Sequence, residues 1–236
     1  MMNLELINGM KKKVSMKIPR PKEYHSIESY NALRANLLFK SGDARSVAMV
    51  GCESEDGTSC VTWNLALSLA EIGRKVLVID ADMRNSVIAE NYQIKHVEKG
   101  LSEYLSEKCD LEECIYQTSC DNLYAVYAGK TSDHPSELLS GCRFRALLDE
   151  AKEEFDYILV DCPPLANVID GAIVAGVCDA SVIVAEADRT KRTMLQSIKS
   201  QLEKADSRIL GVVLNKFDSE RYKCYGNYYG KSYGRD

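Results

Sequence analysis

Ser46-Val47-Ala48-Met49-Val50-Gly51-Cys52-Glu53-Ser54-Glu55-Asp56-Gly57-Thr58-Ser59-Cys60-Val61-Thr62-Trp63-Asn64 carries the reading of the fold. Residues 46–50 are a continuous apolar run, the pattern of a strand buried on both faces. A polar loop follows to Gly57, and from Ser59 to Ala70 the apolar positions continue as a helix that closes at Gly73. Strand, loop and helix in that order aim backbone N–H groups and a helix N-terminus at phosphate. Such a loop reads Gly-Lys-Ser at its end, and here Gly57-Thr58-Ser59 stands in that place. Thr58 cannot supply the positive charge that the lysine brings to the β- and γ-phosphates.

The flanking pattern extends this unit into a sheet. Strands are expected at 46–50, 75–80, 123–128, 157–161, 181–185 and 209–214. Helices are expected at Ile27 to Lys40 and at 59–72, 85–92, 101–106, 143–154 and 190–204. Continuously apolar strands alternating with helices predict an α/β fold: a doubly wound, mostly parallel sheet in one domain resembling the P-loop NTPases. Three parts are expected: a basic extended arm over 1–25, the domain over 26–217, and a flexible tyrosine-rich tail over 218–236.

Bulk composition narrows the class. The 236 residues are 45% apolar and 28% charged, enough for one sizeable core. A net charge of −5 gives no support to a nucleic-acid partner. Lys11, Lys12, Lys13, Lys17, Arg20 and Lys22 make the arm basic, which fits either a solvated segment or contact with an anionic surface. Nine cysteines without a Cys-x-x-Cys pair or a signal peptide suggest a reduced, cytoplasmic setting. No run reaches the length of a membrane span, so any membrane association is expected through a partner or the arm.

Carboxylates stand where such a sheet presents ligands. Asp80 ends one strand, Asp82 follows in Ile79-Asp80-Ala81-Asp82-Met83-Arg84, and Asp161 ends another in Leu159-Val160-Asp161-Cys162-Pro163-Pro164. Hard oxygen donors with open positions suit Mg²⁺ on phosphates, and the Ser59 hydroxyl is placed to join them. Asn215, ending the strand Gly211-Val212-Val213-Leu214, reads either as a turn residue or as an amide facing a purine. Lys75 and Arg84 are the cations that could replace the missing lysine; Arg84 lies just past the acids, Lys75 at the far end of its strand.

Several motifs in a fixed order resemble the bacterial tyrosine kinases of capsule and exopolysaccharide systems, in the form whose kinase is separate from its membrane adaptor. They are Glu28-Ser29-Tyr30-Asn31-Ala32-Leu33-Arg34, the loop and Asn64-Leu65-Ala66, Asp80-Ala81-Asp82-Met83-Arg84, Gly100-Leu101 and Ala128-Gly129. Pro135-Ser136-Glu137-Leu138-Leu139, Asp161-Cys162-Pro163-Pro164 with Asp170, and the tail complete the set. The resemblance implies ATP and Mg²⁺ as cofactors. Ser59, Asp80 and Asp161 would hold the metal, Gly57, Thr58, Ser59, Cys60 and Asn215 the nucleotide, and Asp82 would accept the proton of an attacking tyrosine. The phosphoacceptors would be Tyr222, Tyr225, Tyr228, Tyr229 and Tyr233, five of the chain's 13 tyrosines within its last 15 residues.

The same resemblance implies a membrane adaptor that recruits the chain to the inner face of the membrane, and a ring of like or paralogous subunits joined through Glu28 and Arg34. The sequence departs from the family at Thr58, at Ser54-Glu55 where Pro-Gly is usual, and at Asn31 where the ring motif has its first arginine. Glu53, Glu55 and Asp56 further load the phosphate loop with negative charge. The departures leave a second reading open: a non-catalytic regulatory subunit whose tail is the substrate of an active paralogue. A positioning ATPase of the septum type shares the sheet, but its loop is lysine-rich and its C-terminus amphipathic.

Overall fold

The computed structural model of the protein describes Val14, residues 24–88, Tyr92, Ile94 and residues 97–218. The five tail tyrosines and the basic side chains of the arm lie outside the described residues. Seven strands form one sheet: β1 (Ser46–Gly51), β2 (Val76–Asp80), β3 (Ile115–Gln117), β4 (Leu123–Val126), β5 (Tyr157–Cys162), β6 (Ala180–Glu186) and β7 (Ile209–Asn215). Their order is β3-β4-β2-β5-β1-β6-β7, and every pairing is parallel except β3 with β4. The mostly parallel, doubly wound α/β sheet expected from the alternation is therefore present.

Among the described residues seven α-helices cover it: α1 (Tyr24–Ser41), α2 (Thr58–Glu71), α3 (Leu101–Leu105), α4 (Pro135–Ser140), α5 (Cys142–Glu154), α6 (Asp170–Val177) and α7 (Arg192–Lys204). Strand periodicity divides the interior in two. Val47, Met49, Val76, Val78, Leu159 and Val182 face α1 and α2, where Trp63 is fully buried against Tyr92 and Tyr127. Ala48, Val50, Leu77, Ile79, Ile158 and Val160 face the other layer, which holds Phe144 and Leu147 of α5 and Ile198 and Leu202 of α7. Both faces of the central strands are dry, which is why those strands lack polar alternation, whereas β7 at the edge exposes Val212 and Leu214.

Six features differ from expectation. Helix α1 begins at Tyr24, inside the span assigned to the arm. Within the same span Val14 is buried and its N–H donates to the Gln117 carbonyl at 2.9 Å, so this point of the arm joins the β3 edge. The helix expected at 85–92 does not begin at 85: residues 83–85 form a turn, and among the described residues helical backbone appears at Ile88. Strand β3 and helices α4 and α6 were not anticipated as elements; α6 reads Asp170-Gly171-Ala172-Ile173-Val174-Ala175-Gly176-Val177, apolar all round and so without helical periodicity.

The carboxyl ends of β1, β2 and β5 converge where the winding direction changes. The connection from β1 runs through α2 to β2 and that from β5 through α6 to β6, on opposite layers. This is the place at which open α/β sheets bind ligands.

Candidate functional site

Helix α2 starts at the mouth of this crevice. Gly57 adopts φ 82°, a backbone that side chains rarely accept, and the helix has no side-chain cap. Val61 N–H donates to the Gly57 carbonyl at 3.0 Å, so the amides of Thr58, Ser59 and Cys60 precede the helix's first internal hydrogen bond. A Cβ on Gly57 would come within 2.3 Å of Asn215 Nδ2. That amide instead donates to the Asp56 carbonyl at 2.8 Å, tying the end of β7 to the loop from behind. Asp56 is itself buried; its Oδ2 accepts from Glu53 N–H at 2.8 Å, while Oδ1 has no hydrogen-bond partner.

Across the mouth, Asp80 pairs in register with Asp161 on the neighbouring strand, and both are buried. Asp80 Oδ2 accepts from Ser86 Oγ at 2.5 Å and Oδ1 from Asp82 N–H at 3.1 Å. Burial pushes the Asp80 carboxyl up to about 7, with the Asp82 charge adding to the rise against these hydrogen bonds. Burial raises Asp161 well above the usual carboxylate range, and the facing Asp80 raises it further, while the hydroxyls of Ser59 and Thr62 oppose the shift. Asp82 is only half-buried and accepts from the N–H groups of Arg84 and Asn85 at 3.2 and 2.9 Å.

These groups share one cavity of about 510 Å³. Gly57, Thr58, Ser59, Cys60, Asp80, Asp82 and Asp161 all line it, so these expected site residues meet in space, whereas Asn215, also expected at the nucleotide, is not part of its wall and holds the Asp56 carbonyl instead. Its acids are Glu53, Glu55, Asp56, Asp80, Asp82 and Asp161, and among the described residues lining it there is no lysine or arginine. Asp82, Asn85 and Ser86 also line a second cavity of about 310 Å³, which carries Arg84 and Lys130 on its wall.

Neither proposed replacement for the lysine is free. Arg84 Nε donates to Asp170 Oδ2 at 2.6 Å and Nη2 to Oδ1 at 3.2 Å, a bidentate pair that turns the guanidinium away from the first cavity. Ser136 Oγ donates to the same Oδ1. Lys75 lies at the opposite end of β2, 3.5 Å from Glu154. A cation at the loop's outer face was not expected from the sequence. Arg189, after β6, donates to the Ser54 carbonyl at 3.4 Å and stands 3.8 Å from Glu55 and 2.9 Å from Glu186. The residues around Arg189 give no local signal of its contact with the loop, because Ser54 lies 135 positions away and Glu55 stands next to Ser54 in the chain.

The donor set fits a magnesium nucleotide. Mg²⁺ bound with substrate phosphates uses one or two carboxylates and keeps other positions for phosphate and water. Two buried, opposed carboxylates that retain protons more tightly than usual are short of positive charge, and the Ser59 hydroxyl faces one of them. Among the described residues no cluster of three or more His, Cys, Asp or Glu closes round a metal, as an all-protein cage would require.

At the expected subunit contact, Glu28 is exposed and accepts from Asn31 Nδ2 at 3.1 Å. Arg34 Nη1 donates to the carbonyl and hydroxyl of Ser68 at 2.9 and 2.8 Å, so it pins α1 to α2 within the chain. No helix among the described residues is long and apolar enough to cross a membrane.

Comparison with known proteins agrees with this geometry. A family model described as an AAA domain matches residues 50–212. The tyrosine-protein kinase CpsD of Streptococcus agalactiae is 39% identical over 203 residues, covering 85% of this chain and 89% of that protein. The kinase domain of the Escherichia coli tyrosine kinase Etk superposes with TM-score 0.76 at 30% identity, over 81% of this chain and 77% of that one. The septum site-determining protein MinD of Pyrococcus horikoshii, solved with Mg-ADP, gives TM-score 0.65 at 26% identity over 74% and 71%. On its fold, the converging strand-end acids and these relatives, the chain belongs to the bacterial tyrosine-protein kinases.

Proposed function

We propose that this chain is an ATP-dependent protein-tyrosine kinase of capsule or exopolysaccharide control that phosphorylates tyrosines of its own C-terminal tail. The observation that carries the reading is the register match of Asp80 with Asp161 at the foot of the loop before α2. In this reading the N–H groups at the start of α2 cradle the phosphates, and Ser59, Asp80 and Asp161 hold Mg²⁺. When bound, the metal neutralises charge on the phosphates.

The remaining work falls to this chain's own groups. Asp82, half-buried between the two cavities, receives the proton of the tyrosine hydroxyl, and its carboxylate is oriented by the Arg84 and Asn85 amides. The second cavity gives the acceptor segment a way to Asp82 that does not cross the nucleotide cleft. Tyr222, Tyr225, Tyr228, Tyr229 and Tyr233 are the acceptors, and glycines between them let the segment reach. Glu28 and Arg34 lie on the face through which like subunits associate in a ring, and a membrane adaptor brings the chain to the inner face of the membrane.

The absence of a lysine or arginine among the described residues of the cleft favours a second reading, a regulatory subunit that binds nucleotide weakly and is phosphorylated by a paralogue. Incubating the purified full chain with radiolabelled ATP and Mg²⁺ separates the two. Label on tail tyrosines that disappears in Asp82→Ala supports the kinase. Label that appears only when an active kinase of the same type is added supports the subunit.

A further inference from the structure

Away from the cleft, two sulfurs meet. Cys109 lies in the loop after α3 and Cys114 just before β3, with a 3₁₀ turn over Leu111–Glu113 between them. Their Sγ atoms are 3.0 Å apart, against about 2.05 Å in a formed disulfide. The turn is clamped on both sides: Lys99 Nζ donates to Glu113 Oε1 at 2.5 Å, and Asp110 N–H donates to Glu113 Oε2 at 3.2 Å. Cys114 is fully buried, whereas Cys109 is half-buried and open to solvent on one side. Neither thiol serves the chemistry of the cleft.

We propose that Cys109 and Cys114 form a modification site, a dithiol that a peroxide oxidises reversibly to an intramolecular disulfide. The exposed partner reacts first: the Cys109 sulfur attacks a peroxide oxygen, giving a sulfenic acid and releasing water. The Cys114 sulfur then displaces the hydroxyl from Cys109, the sulfur–sulfur bond forms, and the thiol proton leaves with that hydroxyl as a second water. Both thiols together lose two electrons and one peroxide gains them. Burial raises the Cys114 thiol, so it is slow to meet an oxidant itself and acts on the neighbouring sulfenic acid at contact distance.

Oxidation reaches one further contact. The Cys114 thiol donates to the Gly100 carbonyl at 3.3 Å, and a disulfide sulfur has no proton to give. Gly100 is wedged so closely that a Cβ there would meet the Tyr127 carbonyl at 2.4 Å and Gly129 N at 2.5 Å. Tyr127 and Gly129 line the cavity that holds Asp82 and Arg84. The redox state of the pair is thus one hydrogen bond from the wall of that cavity.

The test treats the full folded chain with hydrogen peroxide, blocks remaining thiols with an alkylating agent and digests without reduction. Trypsin leaves both cysteines on one peptide, but a glutamate-specific protease cuts between them at Glu112 and Glu113. The expected result is two peptides held together, separated by dithiothreitol, and lost in Cys109→Ser. Cys114→Ala is expected to accumulate sulfenic acid at Cys109; Cys109→Ser carries the test alone if that buried variant does not fold. Separate alkylation of both cysteines after peroxide, or over-oxidation of Cys109 with Cys114 left as a free thiol, would overturn the proposal.

Discussion

Asp80 and Asp161 are register partners on adjacent parallel strands, both buried and both holding protons more tightly than a solvated carboxyl. A fold gains nothing from such a pair in isolation. The rise of Asp80 to about 7 is a measure of how much the charged form is disfavoured there. The two buried acids cost stability, and on the function proposed above a bound cation would relieve that cost, the usual tension between a functional site and its scaffold.

That cost is measurable. Asp80→Asn keeps the shape, leaves an acceptor for the Asp82 N–H, and lets Ser86 Oγ turn to accept from the new amide. We expect it to stabilise the nucleotide-free protein by about 1–3 kcal/mol by removing a desolvated charge. Tail phosphorylation and Mg²⁺-dependent nucleotide binding should be lost in the same variant. Urea unfolding without Mg²⁺ checks the first part, and calorimetric titration of ATP checks the second. An unchanged or lower stability would mean that the pair is not strained in the way described.

Thr58 offers a gain of function. Its Oγ1 lies so near Gly51 that a Cβ there would meet it at 2.4 Å, which places the side chain over the base of the loop. A lysine at this position would bring the first cation among the described residues into a cleft lined by six carboxylates. One charge-assisted hydrogen bond is worth roughly 1.5–3 kcal/mol, so Thr58→Lys should tighten ATP binding by about tenfold or more. Thr58→Ser, which adds no charge, should change affinity little. Equal affinities for wild type and Thr58→Lys would show that positive charge already reaches the phosphates from elsewhere.

The Arg84–Asp170 pair predicts a pH dependence. Burial pushes the Asp170 carboxyl up, but the Arg84 guanidinium and the Ser136 hydroxyl outweigh it and hold the group below its ordinary value. A carboxyl held low in the fold contributes stability that is complete above its unfolded value, about 3.9, and is lost as pH falls through the folded one. Arg84→Ala leaves a buried charge without its partner, and the sign reverses: burial then raises Asp170, and stability declines as pH rises past the ordinary range. Because Arg84 is 40% exposed, its solvent screening lowers the expected cost at neutral pH to about 1–3 kcal/mol. Asp170→Asn should cost less and be flat over the same interval. Denaturant midpoints followed from neutral pH into the acid range distinguish the three proteins.

What the sequence shows and what it hides follow from range. Strands such as Val76–Asp80 and Tyr157–Cys162 are legible because burial on both faces leaves an unbroken apolar run, and the acid after each run marks the crevice. Thr58, Ser59, Asp80, Asp82 and Asp161 are therefore legible in the sequence as neighbours around one cavity. The three-residue edge strand Ile115–Gln117 is too short to show a period, and Pro135–Ser140 has a single turn and a half in which to show one. Contacts between distant positions leave no local trace. Asp56 meets Asn215 across 159 positions and Arg84 meets Asp170 across 86; the second removes a cation that proximity in sequence offered to the phosphates.

The Asn215 tether can be tested by coupling. Its amide holds the Asp56 carbonyl at 2.8 Å and occupies the space in which a Gly57 side chain would lie. Asn215→Ala removes one hydrogen bond and should cost about 0.5–1.5 kcal/mol. Gly57→Ala should cost more, about 2–4 kcal/mol, because it adds a clash with Asn215 Nδ2 to the strain of φ 82°. In the double variant the clash has gone and only the backbone strain and the lost hydrogen bond remain. Its destabilisation should therefore fall short of the sum of the two single values by about 1–2 kcal/mol. Strict additivity in urea unfolding would mean that the loop moves off Asn215 without cost, and that β7 does not hold the phosphate loop in place.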